Sequence, residues 1–296
     1  MARKGVILTA GLGTRLHPIT LAVNKQLIPI YDKPMIYYAL WVLIKAGVRD
    51  VMIVSSEVDE PSFRRLFGDG SHFGLHMSYA VQKKPNGLVD AFLKAEDFLG
   101  GDPSVLILGD NVFYGPGFPA LLQKASAKEQ GATVFGSIVP DPERFGVAEF
   151  DKNGKVLSLE EKPAHPKSNC AVVGLYFFDG RVMEYARELR KVIPLDKEVS
   201  ITDVNRRYME RGELDLEVFP QGFVWLDTGT HDSLLEASNY VAHTEREKGH
   251  LICCPEEAAY SAGWLDLERI RENGEADKNN NYGRALTKFY EEMKKK

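Results

Sequence analysis

The 296-residue sequence has few cysteines and no long apolar run. Its three cysteines, Cys170, Cys253 and Cys254, form no CxxC pair, which excludes a disulfide framework and predicts ordinary reduced thiols in a cytoplasmic protein. No apolar run approaches the ~20 residues of a membrane-spanning helix, and the N-terminus is apolar too briefly for a signal peptide. We therefore expect no membrane partner.

Several signatures of catalysis and of repeated architecture are also absent. No GxSxG elbow is present for a serine nucleophile, and the seven histidines form no HExxH or other zinc pattern. No Ser/Gly-rich linker divides the chain, and no internal repeat is visible. With 44% hydrophobic and 27% charged residues, the composition is typical of a globular domain.

Negative charge exceeds positive charge, but unevenly along the chain. The net charge is −5, yet residues 1–50 carry +5, so the remaining residues carry −10. A long nucleic acid would require an extended basic face, and we therefore expect no nucleic-acid partner. A basic opening segment in an acidic chain instead predicts a local site for a small anion.

Short β-branched runs alternate with helical patterns over the first 110 residues. Strands are predicted at 6–9, 51–54, 77–81 and 105–108, and helices at 34–46, 60–66 and 88–99. Because each strand-to-strand connection is long enough for a crossover helix, the pattern predicts an α/β fold, a Rossmann-like, mainly parallel sheet flanked by helices.

The pattern changes after residue 132, where strands follow each other closely. Strands are predicted at 133–138, 147–150, 156–160, 172–178 and 214–219, helices at about 180–191, 201–211 and 231–248, and a loop at 277–281. The close spacing predicts antiparallel pairing and hence a mixed sheet. We expect one main domain, 1–240, and a small C-terminal helical extension, 241–296, packed on that domain or at a subunit interface.

The strongest local motif runs from Ala10 to Pro18, directly after the first strand. Gly11 and Gly13 allow a tight turn whose backbone N–H groups approach an anion, and Arg15 and Lys25 add positive charge. Leu16 stands where a dinucleotide fingerprint has its third glycine, and the Walker A ending is missing, which disfavours a nucleotide-dependent oxidoreductase. A plain strand-to-helix turn with a surface arginine remains the alternative.

This motif and nine later ones resemble the sugar-1-phosphate nucleotidyltransferases, and among them the members that transfer a thymidylyl group. The matching stretches are Gly11–Leu16, Lys25–Tyr38, Tyr79–Gln82, Pro85–Leu88, Leu108–Tyr114, Asp141–Gly146, Ser158–Pro163, Val173–Phe177, Ile201–Asn205 and Trp225–His231. Since they occur in order over essentially the whole chain, we identify it as a member of that family with its nucleotide-diphospho-sugar transferase fold.

The resemblance implies a reaction between dTTP and a hexose 1-phosphate, with glucose 1-phosphate expected, giving a dTDP-sugar and pyrophosphate. It places that reaction at the start of dTDP-rhamnose or related deoxysugar synthesis. The attacking phosphate oxygen is already anionic, so the task is to bring two polyanions together with positive charge and Mg²⁺. UTP or a modified hexose 1-phosphate remains an alternative, as does a non-catalytic nucleotide-sugar sensor.

The resemblance also implies roles for individual residues. Nucleotide binding falls to Gly11, Gly13, Thr14, Gln82 and Gly87, catalysis to Arg15, Lys25 and Asp110, Mg²⁺ binding to Asp110 and Asp227, and sugar-phosphate binding to Gly146, Glu161, Lys162 and Val172. The family's quaternary structure implies a homo-oligomer, a tetramer, with a feedback site between subunits.

Some positions depart from the family pattern around both expected pockets. They are Ala10, Asn86 and Asp90 near the nucleotide, and Phe145, Cys170 and Val173 near the sugar. Phe145 replaces a tyrosine and so removes a hydroxyl that could bind a sugar. Because a pocket that hydrogen-bonds a hydroxyl discriminates strongly against its loss, we expect these positions to tune substrate choice.

Overall fold

The computed structural model describes residues 2–83, 87–194 and 197–296. Its strands are β1 Lys4–Leu8, β2 Pro29–Ile30, β3 Lys33–Pro34, β4 Asp50–Ser55, β5 His76–Val81, β6 Ser104–Leu108, β7 Asn111–Tyr114, β8 Ala132–Ile138, β9 Gly146–Phe150, β10 Val156–Glu161, β11 Cys170–Phe178, β12 Leu214–Val218 and β13 Val224–Asp227. Its helices are α1 Ile36–Lys45, α2 Glu60–Phe67, α3 Leu88–Phe92, α4 Glu96–Leu99, α5 Phe118–Ala127, α6 Val182–Val192, α7 Ile201–Glu210, α8 His231–Lys248, α9 Pro255–Ser261, α10 Leu267–Ala276 and α11 Asn281–Met293.

Nine strands form one mixed sheet, which confirms the predicted fold class. The order is β10-β9-β11-β6-β1-β4-β5, and β8 and β12 continue from the other edge of β11. β5, β4, β1 and β6 run parallel, β12 pairs parallel with β8, and only β11 and β10 run against the others. β1, β4 and β6 are almost wholly buried, as expected for strands covered by helices on both faces.

The structure differs from the sequence prediction in several local respects. The helix predicted at 88–99 is interrupted by a 3-10 turn at Leu93–Ala95. Pro34, expected in the first turn of a helix, lies in β3, and α1 begins at Ile36. The sequence did not predict β7 and β13, which pair only with each other, outside the main sheet. Their sequences are four residues long and polar at one end, too short for a periodic signal.

Two hydrophobic clusters cover the two faces of the sheet. The cluster around α1 includes residues of the C-terminal helices, among them Ala258, Ala259 and Ile270. The position between residues 240 and 241, where we expected the extension to begin, lies inside α8. Among the described residues, no helix is long and apolar enough to cross a membrane.

Candidate active site

The main cleft opens where two strands meet end to end along one edge of β11. Ala171 and Val172 pair with the start of β9, whereas Leu175–Phe178 pair with β6. The end of β6 and the start of β9 diverge between these two ladders, and a cavity of about 520 Å³ opens there. Gly174 faces this junction, where a Cβ atom would lie 2.8 Å from the Leu108 side chain. Only glycine fits without moving the end of β6.

A second cavity of about 240 Å³ adjoins the first. Leu88, Leu108 and Asp110 line both cavities, so Asp110 lies at their junction. Asp110 lies two residues after the end of β6, at the carboxyl end of a parallel strand, the position at which α/β sheets commonly bind ligands. Both cavities are therefore bordered by the same acidic residue.

The ladder between β7 and β13 brings a second carboxylate to Asp110. Asp227 is the register partner of Asn111, the residue after Asp110, and Thr228 Oγ1 donates to the Asp110 carbonyl oxygen at 2.8 Å. Burial and the charge of Asp110 raise the pKa of Asp227, against the lowering effect of neighbouring cations. Two carboxylates separated by 117 residues in sequence thus repel each other in a partly buried site, and a cation between them would relieve that repulsion.

Lys25 and Asn111 hold the Asp110 carboxylate. Lys25 Nζ lies 2.5 Å from Oδ2, and Asn111 Nδ2 donates to Oδ1 at 2.9 Å. The Lys25 side chain, expected from the sequence to add positive charge at the site, is only 7% exposed. Asn24 caps the 3-10 helix Lys25–Leu27 by accepting from the Gln26 N–H, which fixes the lysine's backbone.

The glycine loop presents only some of its predicted residues to the cavities. Gly11 lines the smaller cavity and Arg15 the larger. Gly13 adopts φ +60° and begins the 3-10 helix Thr14–Leu16, where Thr20 Oγ1 donates to its carbonyl oxygen at 2.9 Å. Gly13 and Thr14 line neither cavity. The exposed Arg15 guanidinium lies against Gly229, where a Cβ atom would be 2.6 Å away.

Amide groups and glycine form the wall of the smaller cavity. Gln82 and Gly87 line it as predicted, and Gln82 Nε2 donates to the Gly87 carbonyl oxygen at 3.2 Å. Gln26, which we did not predict, also lines it, and its buried Oε1 has no hydrogen-bond partner among the described residues. Its position beside Lys25 in a matching motif was the available signal. Ala10 lines this cavity, whereas Asn86 lies outside the described residues.

The four predicted sugar-phosphate residues all line the larger cavity. Gly146 is the register partner of both Glu161 and Val172, so three of them form one row across β10, β9 and β11. A Cβ atom on Gly146 would lie 3.4 Å from Glu161 Oε2. Lys162 follows at φ +44°, its Nζ 3.8 Å from Glu161 Oε1, and its side chain is 67% exposed. The ammonium is therefore accessible from the cavity side of the strand end.

Several polar residues of the larger cavity were not predicted. Thr202 Oγ1 donates to Glu161 Oε2 at 2.5 Å, and Asn111 Oδ1 accepts from Trp225 Nε1 at 2.6 Å. Arg144 adds a third cation besides Arg15 and Lys162. Each lies inside a motif quoted above, but its role depends on which strand ends meet.

Three residues that depart from the family pattern were expected near the sugar. The structure confirms that position for one of them, and the expectation is wrong for the other two. Phe145 lines the larger cavity and packs edge-on against Trp225, with ring centroids 5.1 Å apart. Cys170 and Val173 are fully buried in the two hydrophobic clusters and line neither cavity. Their side chains leave β11 on the faces that pack against the core, so they act on packing rather than on a ligand. Asp90, on α3, instead lies 3.4 Å from Arg190 of α6.

Comparisons with known proteins agree with this geometry. The family model described as nucleotidyl transferase matches residues 4–244. Glucose-1-phosphate thymidylyltransferase of Xanthomonas campestris pv. campestris is 51% identical over 286 residues, covering 96% of both chains.

Two solved structures have the same fold. A Bacillus anthracis protein assigned as a glucose-1-phosphate thymidylyltransferase, crystallised with sucrose, superposes with a TM-score of 0.74 at 39% identity, over 81% of this chain and 95% of that one. A UDP-glucose pyrophosphorylase complexed with UDP-glucose superposes with a TM-score of 0.71 at 28% identity, over 82% of this chain and 100% of that one.

Proposed function

The chain belongs to the nucleotidyl transferase family, and on that premise we propose that it transfers the thymidylyl group of dTTP to glucose 1-phosphate. The products are dTDP-glucose and pyrophosphate. The observation that carries the proposal is the pair of adjoining cavities that share Asp110. The smaller one is lined by two amides, two glycines and Glu198, and the larger one by Glu161, Asp227 and three cations. A two-substrate transfer requires this arrangement, because both substrates must meet at one phosphorus atom.

The proposed chemistry needs charge neutralisation more than proton transfer. A phosphate oxygen of the sugar 1-phosphate forms a bond to the α-phosphorus while the bond from that phosphorus to the β-phosphate oxygen breaks. Since the attacking oxygen is anionic, no general base is required. Arg15 and Lys25 are placed to offset charge on the triphosphate, and Arg15 lines the cavity that also holds Asp110.

We propose Mg²⁺ as the cofactor, held by Asp110 and Asp227. Among the described residues, no group of three or more His, Cys, Asp or Glu side chains could enclose a metal ion. Two carboxylates suit Mg²⁺, which usually takes one or two from the protein and the rest from phosphates and water. The raised pKa of Asp227 beside Asp110 supports a site that favours a cation. When bound there, the ion would offset charge on the phosphates.

Nucleotide recognition is assigned to the smaller cavity. A buried Gln82 and the backbone of Gly87 suit a pyrimidine, whose edge offers both donors and acceptors. The unpaired Gln26 Oε1 adds an acceptor for a ligand N–H. Gly11, Gly13 and Thr14 are assigned to the triphosphate through their backbone N–H groups.

The sugar phosphate is assigned to the larger cavity. Glu161 accepts hydrogen bonds from sugar hydroxyls, and Lys162 meets the phosphate. Gly146 and Val172 contribute backbone groups from the same cross-strand row. Phe145 and Trp225 offer the apolar faces that sugar rings commonly pack against, without the hydroxyl that a tyrosine would provide.

We further propose that the chain acts in the cytoplasm as a homo-oligomer, a tetramer, with residues 241–296 as a helical extension packed on the main domain. An exposed Leu235, 61% accessible beside a groove bounded by β13 and α8, supports a subunit contact there. Sedimentation analysis at working concentration tests the assembly.

A substrate panel tests the proposed function. The purified protein is incubated with Mg²⁺, dTTP or UTP, and several hexose 1-phosphates, and pyrophosphate release is measured. We expect the fastest release with dTTP and glucose 1-phosphate. Release that is faster with UTP would overturn only the thymidylyl assignment, and no release with any pair would favour a nucleotide-sugar sensor.

A further inference from the structure

Both carboxylate oxygens of Asp110 are already engaged in the free chain. Lys25 Nζ lies 2.5 Å from Oδ2, and Asn111 Nδ2 donates to Oδ1 at 2.9 Å. A divalent cation on Asp110 would share an oxygen with one of these donors. The ammonium of Lys25 competes most strongly, because two cations at one oxygen repel each other at short range.

Lys25 cannot leave Asp110 for water. Its side chain is 7% exposed, and its backbone belongs to the 3-10 helix Lys25–Leu27. Asn24, which caps this helix, is itself tied by hydrogen bonds to the Thr9 carbonyl oxygen and to Asp59 Oδ2. Since an unpaired buried ammonium is strongly unfavourable, Lys25 needs another anion before it releases the carboxylate.

The glycine loop is in place to receive such an anion. A Cβ atom on Gly13 would lie 3.3 Å from Lys25 Cβ, so the lysine stem passes directly beneath the loop. Arg15, from the same loop, lines the cavity that contains Asp110. A triphosphate along this loop would therefore lie within reach of the buried ammonium.

Asp227 differs from Asp110 in that no described cation pairs with it directly, although the charges of Lys25, Arg15 and Arg144 act on it from farther away. Within 2–83, 87–194 and 197–296, it makes no ion pair within 4.0 Å. One carboxylate of the pair is thus open to a cation in the free chain, and the other is closed by Lys25.

We propose that Lys25 is a displaceable counter-ion of Asp110 that couples metal binding to nucleotide binding. In the free chain Lys25 occupies the carboxylate and keeps metal affinity low. The bound triphosphate takes over the ammonium, and Asp110 becomes available to the metal. The inference rests on the proposed function for the identity of the anion, but the closed state of Asp110 is a property of the free chain.

Measuring metal binding in the absence of nucleotide tests whether Lys25 competes with the metal for Asp110. Free Mn²⁺ is measured by electron paramagnetic resonance during titration of the wild-type protein, Lys25→Met and Arg15→Met. We expect Lys25→Met to bind Mn²⁺ at least about tenfold more tightly than the wild type, because the competing ammonium is gone. Arg15→Met removes a charge from the same cavity without contacting Asp110, and it should change Mn²⁺ affinity less than about threefold.

The coupling is tested by the same titration with a non-hydrolysable dTTP analogue present. The analogue should raise the Mn²⁺ affinity of the wild type by at least about tenfold more than that of Lys25→Met. Adding Asp110→Asn to Lys25→Met should abolish the gain in metal affinity. Lys25→Gln, which keeps the length of the side chain and a hydrogen-bond donor, provides a second neutral variant if Lys25→Met does not fold.

The outcomes separate this inference from the proposed function. Equal Mn²⁺ affinities of the wild type and Lys25→Met, or equal gains in Lys25→Met and Arg15→Met, would overturn the counter-ion role. The wild-type substrate panel is independent of these titrations. Suppose that the wild type releases pyrophosphate but Lys25→Met binds Mn²⁺ no more tightly than the wild type. The proposed transferase function would then be supported, and only the proposed coupling would be rejected.

Discussion

Two lysines eight residues apart in the first segment are both buried against carboxylates, yet they occupy different kinds of site. Lys25 pairs with Asp110 at the junction of two cavities, and the Asp110 side chain is 21% exposed. Lys33 lies between Asp32 and Glu245, at 2.8 and 2.9 Å, and all three side chains are at least 92% buried. The first pair can exchange its partner for a ligand, whereas the second is enclosed.

The enclosed cluster joins distant parts of the chain. Glu245 lies on α8 and also accepts from the Ile252 N–H, and the Lys33 ammonium lies 5.9 Å from the centre of the Tyr282 ring on α11. Burial alone would lower the pKa of Lys33, but Tyr38, Asp32 and Glu245 outweigh it and raise the pKa above its usual value. A lysine–carboxylate pair thus occurs in two settings. Around Lys33 it joins α8 to the first segment of the chain, and at Lys25 it borders the two cavities.

The largest expected effect is on turnover and follows from replacing the two carboxylates of the candidate active site. Asp110→Asn and Asp227→Asn should each lower kcat by about 10³-fold, since neutral amides bind Mg²⁺ poorly. Thermal unfolding should change little in Asp227→Asn, whereas Asp110→Asn should also lower the melting temperature, because it leaves the buried Lys25 ammonium without its carboxylate. Asp102→Asn, which removes a surface ion pair with Lys4, is the matched control and should retain activity. Near-normal turnover of both site variants would remove Asp110 and Asp227 from the metal site.

Removing the cation of the enclosed cluster, Lys33, should lower the stability of the fold. Lys33→Met leaves Asp32 and Glu245 without their cation and should lower the free energy of unfolding by about 3–4 kcal/mol. Urea denaturation measures this change. Lys25→Met should cost less stability, because water can enter the cavity beside Asp110, while it lowers turnover. If Lys25→Met destabilised the fold as much as Lys33→Met, the contrast between the two lysines would fail.

The sequence predicted the open site better than the enclosed one. Asp110, Asp227 and Glu161 belong to motifs with a chemical meaning, and all three line the larger cavity. Lys33 also lies in a matching stretch, Lys25–Tyr38, but that stretch does not indicate its burial, which depends on Glu245, 212 residues away. Cys170 and Val173 were misassigned for a related reason. A residue's face on a strand depends on register, and β11 changes register with β8 between Val172 and Tyr176.

A third effect concerns Glu257, a half-buried carboxylate of α9 that makes no ion pair within 4.0 Å in the part of the chain that the structure describes. Burial, with a contribution from Glu256, raises the pKa of Glu257 on α9 to about 7. A raised carboxyl pKa favours the folded state below the unfolded pKa near 4.5, and that stability is lost as the pH rises through about 7. Glu257→Gln should therefore gain about 1–3 kcal/mol relative to the wild type between pH 4.5 and 8.

The control for this effect is Glu291→Gln, an exposed carboxylate of α11. His250 also faces Glu257, so His250→Gln is measured beside it. Denaturation curves at several pH values give the change in the free energy of unfolding with pH for each variant. A Glu257→Gln variant whose stability follows the wild-type pH dependence would show that Glu257 is ionised in the folded state.

The smallest effect is expected from a lysine that is neither buried nor enclosed. Lys162 is 67% exposed at the edge of the larger cavity. Lys162→Ala should raise the KM for glucose 1-phosphate by about 10–100-fold, because it removes a charge-assisted hydrogen bond to phosphate. The KM for dTTP should change less than about threefold, since Lys162 does not line the smaller cavity. Lys167→Ala removes a nearby exposed lysine paired with Glu160 and should leave both KM values unchanged. A change confined to the KM for dTTP would indicate that Lys162 binds the nucleotide. The assignment of Lys162 to the sugar phosphate would then be wrong.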